Sequence, residues 1–293
     1  MNSLKTGKNI ILADNAGFCY GVRRAVDKTI QIRQETPEKQ VCVLGQLIHN
    51  AQVIDYLSSI GVQTIDEIPE KFDGICIIRS HGATPQTVEK LKNSGCDIID
   101  LTCPDVKKVQ EKAMELSNEG YQLIIIGKSE HPEVIAIKAY AELNGKTAIV
   151  ISDKDEVPGI INEIKKFPKI GIVLQTTQKI QNLKEILPLI TEHAKEMKIF
   201  NTVCPATSLR QKAAKKLAQE TDLMIVVGSK FSANTSHLAE TLCQITKTIH
   251  IETAQELNNY TEMIKDASNI GITAGASTPK DIIEAVINNL KGE

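Results

Sequence analysis

Residues 97–116 read DIIDLTCPDVKKVQEKAMEL, and residues 198–218 read KIFNTVCPATSLRQKAAKKLA. Each is a short β-rich run, a Cys-Pro step and an amphipathic helical pattern. The two cysteines, Cys103 and Cys204, stand 101 residues apart. A third copy opens the chain: KNIILADNAGFCYG, residues 8–21, sets Cys19 84 residues before Cys103. Working outward, three more sets recur in a fixed order. One is VCVLGQLIHN (41–50), LIIIGKSEHPE (123–133) and LMIVVGSKFSANT (223–235). A second is VQTIDEIPE (62–70), KTAIVISDKDE (146–156) and KTIHIETAQE (247–256). A third is GICIIRSHGATP (74–85), IGIVLQTTQ (170–178) and IGITAGASTP (270–279). Such self-similarity is the signature of a repeated supersecondary unit. Strands alternating with helical patterns predict an α/β fold with parallel sheets. The repeat predicts three units related by a pseudo-threefold axis around a central cavity. Each holds a four-stranded mostly parallel sheet with flanking helices. The boundaries fall at 20–103, 104–204 and 205–293, the last completed by the N-terminal strand 1–19. No Gly/Ser-rich or Pro-rich linker separates them.

Composition narrows the class. At 293 residues, with 42% hydrophobic and 24% charged residues, the chain is neither collagen, coiled coil nor largely disordered. No apolar run reaches the roughly 18 residues of a spanning helix. The opening MNSLKTGKNIILADN lacks the long apolar core of a signal peptide. A cytoplasmic protein is expected. Basic residues number 34 and acidic residues 36, for a net charge of −2, which argues against non-specific nucleic-acid binding. Aromatics are 3% with no Trp, so few platforms exist for stacking bases. Seven cysteines in an intracellular context argue against a disulfide framework.

Ligands of open α/β sheets bind beyond the carboxyl ends of the strands, and there the unusual residues gather. Cys103 and Cys204 precede Pro104 and Pro205, and proline favours the first helical position. Cys19 precedes GVRRAVDKTIQI, which also reads as a helix start. Helix N-termini carry partial positive charge and free N–H groups, which stabilise the thiolate that binds metal. Three such thiolates form a natural cluster site, for zinc or for an iron–sulfur cluster with one position left open. Cys42, Cys76, Cys96 and Cys243 read instead as small buried apolar residues. His49, His81 and His131 lie at strand-to-helix junctions, where a histidine can donate to an anion. His193, His237 and His250 fall in helix or strand bodies. In the third unit, Ser229, Ser232, Asn234, Ser277 and Thr278 take the place of histidine, with Thr278 expected as an N-cap. Gly271 and Gly275 permit close backbone approach. Hydroxyls at helix N-termini suit phosphate. Glu133, in the first turn after His131, can serve as a general acid. Thr176 is the matching strand end of the middle unit. Neither a P-loop nor a G-x-G-x-x-G fingerprint is present, so the usual nucleotide sites are unsupported.

Taken together, GFCYGVRRA, LIHN, SHG, LTCP, HPE, QTT, CPAT, GSK followed by S-x-N, and TAGAS resemble the LytB/IspH family of 4-hydroxy-3-methylbut-2-enyl diphosphate reductases. The likeness runs from NAGFCYGVRRAV to TAGASTP. It implies the three-unit fold and a [4Fe–4S] cluster held by Cys19, Cys103 and Cys204, with one open iron. The implied reaction removes the substrate's allylic hydroxyl with two electrons and two protons. It gives isopentenyl and dimethylallyl diphosphate plus water, the last step of the methylerythritol phosphate pathway. His49, His81, His131, Ser232, Asn234 and Ser277 would then hold the diphosphate. Glu133 would donate a proton, with Thr176 beside the hydroxyl and His131 also serving the proton path. Electrons must come from outside, and the resemblance implies ferredoxin or flavodoxin, with Arg23, Arg24 and Lys28 as a basic docking face. Neither a nucleic-acid nor a membrane partner is expected, nor an appended RNA-binding domain after residue 293.

Two positions depart from the family's pattern. Ala233 replaces a serine between Ser232 and Asn234, so weaker diphosphate binding is expected. Phe231 stands where a polar residue is usual. Competing classes are a zinc-dependent phosphosugar hydrolase or isomerase, and a non-catalytic iron–sulfur sensor.

Overall fold

The computed structural model describes residues 8–292, and the side chain of Ala233 lies outside the described residues. Twelve strands run along the described chain. They are β1 Asn9–Leu12, β2 Gln40–Leu44, β3 Val62–Ile65, β4 Gly74–Ile78, β5 Asp97–Asp100 and β6 Gln122–Ile126. The rest are β7 Ile149–Ile151, β8 Lys169–Leu174, β9 Glu196–Ile199, β10 Leu223–Val227, β11 Lys247–Ile251 and β12 Asn269–Ala274. They form three four-stranded sheets, in the orders β3-β2-β4-β5, β7-β6-β8-β9 and β11-β10-β12-β1. Every pairing is parallel. The expected α/β architecture of three parallel sheets with flanking helices is thus present.

The sequence explains which strands lie inside. Parallel strands covered on both faces read as unbroken apolar runs. GICII of β4, QLIII of β6 and LMIVV of β10 are buried along their whole length. DIID of β5 and EMKI of β9, each carrying two charged residues, lie at sheet edges and are partly exposed. In each sheet the chain leaves one central strand for the edge beside it, then returns on the other side of that strand. The order therefore reverses between β2 and β4, between β6 and β8, and between β10 and β12. Loops leaving such a point form the ligand crevice of an open α/β sheet.

By compactness the chain divides into two units. One comprises Met1–Val26, Ile48–Ile60 and Pro205–Glu293, and the other Asp27–Leu47 and Gly61–Cys204. In the first, β10 alternates. Leu223, Ile225 and Val227 pack with Ile282, Ile283 and Val286 of the helix Lys280–Lys291. Met224 and Val226 face the other way, onto Ala214 and Leu217 of the helix Pro205–Ala218. In the second unit, Ile124 and Ile126 of β6 meet Leu183, Ile186 and Ile190 of the helix Ile180–Thr191. Leu123 and Ile125 meet Val109, Ala113 and Leu116 of the helix Pro104–Asn118. That helix starts from the end of β5 in one sheet and covers the next, so Cys103 sits at the joint between the two sheets of this unit.

These crossing helices lie close to the strands. A side chain at Gly171 would come within 3.1 Å of Leu116, and one at Gly271 would collide with Met224 Sδ and come within 3.0 Å of Leu217 Cγ. Gly271 is thus a packing residue. Overpacking of this kind costs about 1–3 kcal/mol, so Gly271→Val lowers the urea midpoint by an equivalent amount. An unchanged midpoint would show that the helix yields freely.

Candidate active site

The three repeat cysteines are outside any disulfide, half-buried and at helix starts. Cys19 directly precedes the helix Tyr20–Glu35, Cys103 is the N-cap of Pro104–Asn118, and Cys204 directly precedes Pro205–Ala218. One backbone bond recurs at all three. The Cys19 N–H donates to Ala276 O at 3.2 Å, that of Cys103 to Ser80 O at 2.9 Å, and that of Cys204 to Thr176 O at 2.8 Å. Each cysteine is thereby tied to the loop that leaves the neighbouring strand, the loop that carries Ser277, His81 or Thr176. The Val22 N–H points at Cys19 Sγ, 3.5 Å away, as a helix N-terminus stabilising a thiolate would. In the second unit the Cys204 thiol donates to Asp105 Oδ2 at 3.1 Å. Asp105 is two residues past Cys103, so Cys204 lies against the start of the Cys103 helix.

Glu133 is 2% exposed. The Thr176 N–H donates to its Oε1 at 2.6 Å, and the Thr176 hydroxyl to its Oε2 at 2.8 Å. Burial pushes the carboxyl up to about 7, against the pull of the two Thr176 donors. A carboxylic acid that titrates near neutral pH suits general-acid work. The loops are locked together by Gln175, whose Oε1 accepts the Lys128 N–H at 3.1 Å. His131 is the N-cap of the helix Pro132–Ala141, and its Nδ1 accepts the Glu133 N–H at 3.1 Å. The proton of a neutral His131 ring therefore sits on Nε2. Its ring meets that of His81 edge to face, with centroids 5.4 Å apart.

The first unit holds the hydroxyl and amide set. Ser232 is the N-cap of the helix Ala233–Cys243, yet its side chain makes no capping bond. Asn234 is 7% exposed, and its Nδ2 has no hydrogen-bond partner among the described residues. A buried amide left unsatisfied beside an uncapped helix start marks a place for an anion. The Ser277 hydroxyl donates to His49 O at 3.2 Å, and the next residue, Asn50, caps the helix Ala51–Ser59 through Val53 N–H at 3.1 Å. Thr278 differs from expectation. The helix Lys280–Lys291 is capped by Pro279, while the fully buried Thr278 hydroxyl donates to Val227 O at 3.0 Å. A buried hydroxyl takes a carbonyl within reach, here the end of β10, which also accepts the Gly275 N–H at 2.9 Å, before it caps a solvated helix end.

The remaining thiols and imidazoles divide as their positions dictate. Cys42 and Cys76 are register partners in β2 and β4 and are buried, and the hydrogen bond between the two thiols, with burial second, holds the Cys76 thiol up. Cys96 is half-buried, its thiol donating to Leu91 O at 3.4 Å. Cys243 was expected inside but is exposed, because it ends the helix Ala233–Cys243 on its solvent side. His250 Nε2 lies 2.8 Å from Gly228 O. Phe231 is 89% exposed. One residue escaped the sequence. Arg210 is 2% exposed, and its Nη2 donates to Gly17 O at 2.8 Å, two residues before Cys19. Its spacing from Ala214 and Leu217 puts it on the buried helix face, which was the available signal.

The chain matches the model of the LytB protein family over residues 10–291. It is 44% identical over 286 residues to a 4-hydroxy-3-methylbut-2-enyl diphosphate reductase of Clostridium tetani, covering 95% of this chain and 43% of that protein. It is 41% identical to the enzyme of that name from Syntrophotalea carbinolica, covering 96% of this chain and 98% of that one. The chain thus spans under half of one relative and nearly all of another. A solved structure of (E)-4-hydroxy-3-methyl-but-2-enyl diphosphate reductase, the terminal enzyme of the non-mevalonate pathway, is 41% identical with a TM-score of 0.75, covering 98% of this chain and 100% of that one. The Plasmodium falciparum E-1-hydroxy-2-methyl-but-2-enyl-4-diphosphate reductase is 27% identical with a TM-score of 0.84, covering 96% and 87%. On the length of the family match and on these identities, this chain belongs to the LytB protein family.

Proposed function

We propose that this chain is a 4-hydroxy-3-methylbut-2-enyl diphosphate reductase, which removes the allylic hydroxyl as water using two electrons and two protons. The observation that carries the proposal is Glu133. It is a buried carboxyl titrating near 7, fixed on both oxygens by Thr176, in a member of a family whose relatives bear this activity by name. Glu133 gives the proton that lets the hydroxyl leave as water, and Thr176 aims the carboxyl. His131, its proton on Nε2, contacts the diphosphate or hands protons on. His49, His81, Ser232, Asn234 and Ser277 bind the diphosphate. The unpaired Asn234 amide and the uncapped Ser232 hydroxyl support that role. The products are isopentenyl and dimethylallyl diphosphate.

Cys19, Cys103 and Cys204 would hold a [4Fe–4S] cluster. Three thiols at helix starts, none in a disulfide and each fastened by the same backbone bond, fit such a donor set. When bound, the cluster supplies electrons and, at an iron without a protein ligand, a Lewis acid. Three repeats with boundaries near 103 and 204 would each give one of these cysteines. No helix among the described residues is long and apolar enough to cross a membrane, and a cytoplasmic site of action is part of the proposal.

The electrons come from a ferredoxin or flavodoxin. Arg23 and Arg24, both exposed on the helix that follows Cys19, offer the donor a basic face, with Lys28 behind them. Arg23→Glu should slow donor-coupled turnover severalfold and leave turnover with dithionite and a viologen unchanged. Equal slowing with both reductants would refute the docking face. The whole proposal is tested by anaerobic purification, a visible spectrum, iron and sulfide counts, and then the substrate assay. A brown protein with about four irons and reductase turnover is expected. A colourless protein that keeps zinc after iron–sulfide reconstitution would overturn it.

A further inference from the structure

We propose that the cleft at the carboxyl ends of β2 and β4 is a second ligand site, built for a magnesium-complexed diphosphate ester with a short hydrocarbon tail. The cleft has a volume of about 630 Å³ and lies wholly within the unit of β2–β9. It opens where the strand order of its sheet reverses, between Leu44–Gly45 and Ile78–Arg79, the place where such sheets take ligands. None of the cysteines, histidines or hydroxyl residues assigned above lines it.

Arg79 sits on its floor. The residue is half-buried, and its guanidinium makes neither a hydrogen bond nor an ion pair within 4 Å among the described residues. Asp66 answers its charge only at longer range, and burial holds its pKa below the usual arginine value. The side chain lies over Gly45, which is held at φ +67; a Cβ there would meet Nη1 at 2.5 Å. A glycine in a left-handed conformation and a desolvated, unspent guanidinium together make a cradle for an anion. The arginine fork matches phosphate oxygens in pairs. Lys90, exposed on the same wall, adds a second cation.

Asp66 and Glu67 stand exposed at the rim and would repel a bare diphosphate. They suit one that carries Mg²⁺, since that ion is held by one or two carboxylates together with phosphate oxygens. Leu44, Ile68, Ile78 and Ile135 supply an apolar wall. Prenyl diphosphates have this combination, and choosing them among diphosphate esters rests on the reductase proposal; the cleft itself does not. Gly82 and Pro132 also line the cleft, and they adjoin His81 and His131 in sequence. A bound ester would therefore act on that ring pair without occupying the substrate's place.

The test is titration calorimetry of the anaerobically purified protein with geranyl diphosphate, an ester lacking the hydroxyl that the reaction removes. One magnesium-dependent binding event is expected, weakened at least tenfold by EDTA, by Arg79→Gln and by Ile68→Asp. Arg79→Gln should keep substrate kcat and KM within twofold of wild type, which excludes a general folding defect. Wild-type affinity in both variants, or no magnesium-dependent binding, overturns the site. Inhibition that is purely competitive with substrate and unaltered by Arg79→Gln also overturns it. Should the protein lack reductase turnover, the calorimetric comparison still decides the cleft.

Discussion

Glu133→Gln is expected to lower kcat at least a hundredfold and to remove a stability loss that the wild type suffers on going from acid to neutral pH. General-acid catalysis contributes about 10²–10⁴ in rate, and glutamine cannot donate the proton while still meeting Thr176. Its Oε1 accepts the Thr176 N–H and its Nε2 can donate to the Thr176 hydroxyl, so KM should move little. The stability effect follows from burial. The carboxyl titrates near 4.5 when unfolded and at about 7 when folded. Below 4.5 both states hold the proton, and the stabilising balance is fully present. Between 4.5 and 7 the unfolded state releases its proton while the folded state keeps it, so stability falls as pH rises. Above 7 the loss is complete, at about 3 kcal/mol for a shift of this size. Urea unfolding of both proteins from pH 4.5 to 8 isolates the effect, because all other groups cancel in the difference. A difference that does not change across that window would mean Glu133 is not held protonated by its surroundings.

How much of this was legible beforehand depended on the kind of signal. The sheets were readable because buried parallel strands have to be continuous apolar runs, and LIII and LMIVV repeat at corresponding places. The partner of the first strand was readable only through the repeat, since nothing local in NIILADN points to Asn269 and the three residues after it, 260 residues away, where β1 pairs with β12. Cys-Pro steps announced helix starts at Cys103 and Cys204, as proline without an N–H fits the first turn. The pH range of Glu133 was not readable, because it comes from burial that only the assembled β6 and β8 loops create. Thr278 differs because hydroxyl-Pro reads locally as a cap, whereas the carbonyl its hydroxyl reaches belongs to a strand 51 residues earlier. Nothing in the local sequence singles out Arg79. Only the close approach of Gly45 and the lack of a partner mark it as a binding group.

Cys204→Ser should abolish the visible chromophore, reduce bound iron to near zero and eliminate turnover, while leaving the metal-free fold intact. The separation is possible because the thiol's present bond is one that serine can keep. Cys204 donates to Asp105 Oδ2 at 3.1 Å, and a hydroxyl donates to a carboxylate at least as well. The backbone bond from residue 204 to Thr176 O does not depend on the side chain. Metal-free Cys204→Ser should therefore melt within a few degrees of the metal-free parent. Cys42→Ser provides the opposite signature. Cys42 is 1% exposed on β2 beside β4, so a hydroxyl there is buried among apolar side chains and the thiols of Cys76 and Cys96. Burying a poorly satisfied hydroxyl costs about 1–3 kcal/mol, yet iron content should stay that of the parent. A structural role for all cysteines alike would make both variants unstable and neither selectively iron-free. Full iron and an unchanged spectrum in Cys204→Ser would remove this residue from the cluster set, and with it the equivalence of the three repeats on which that set is built.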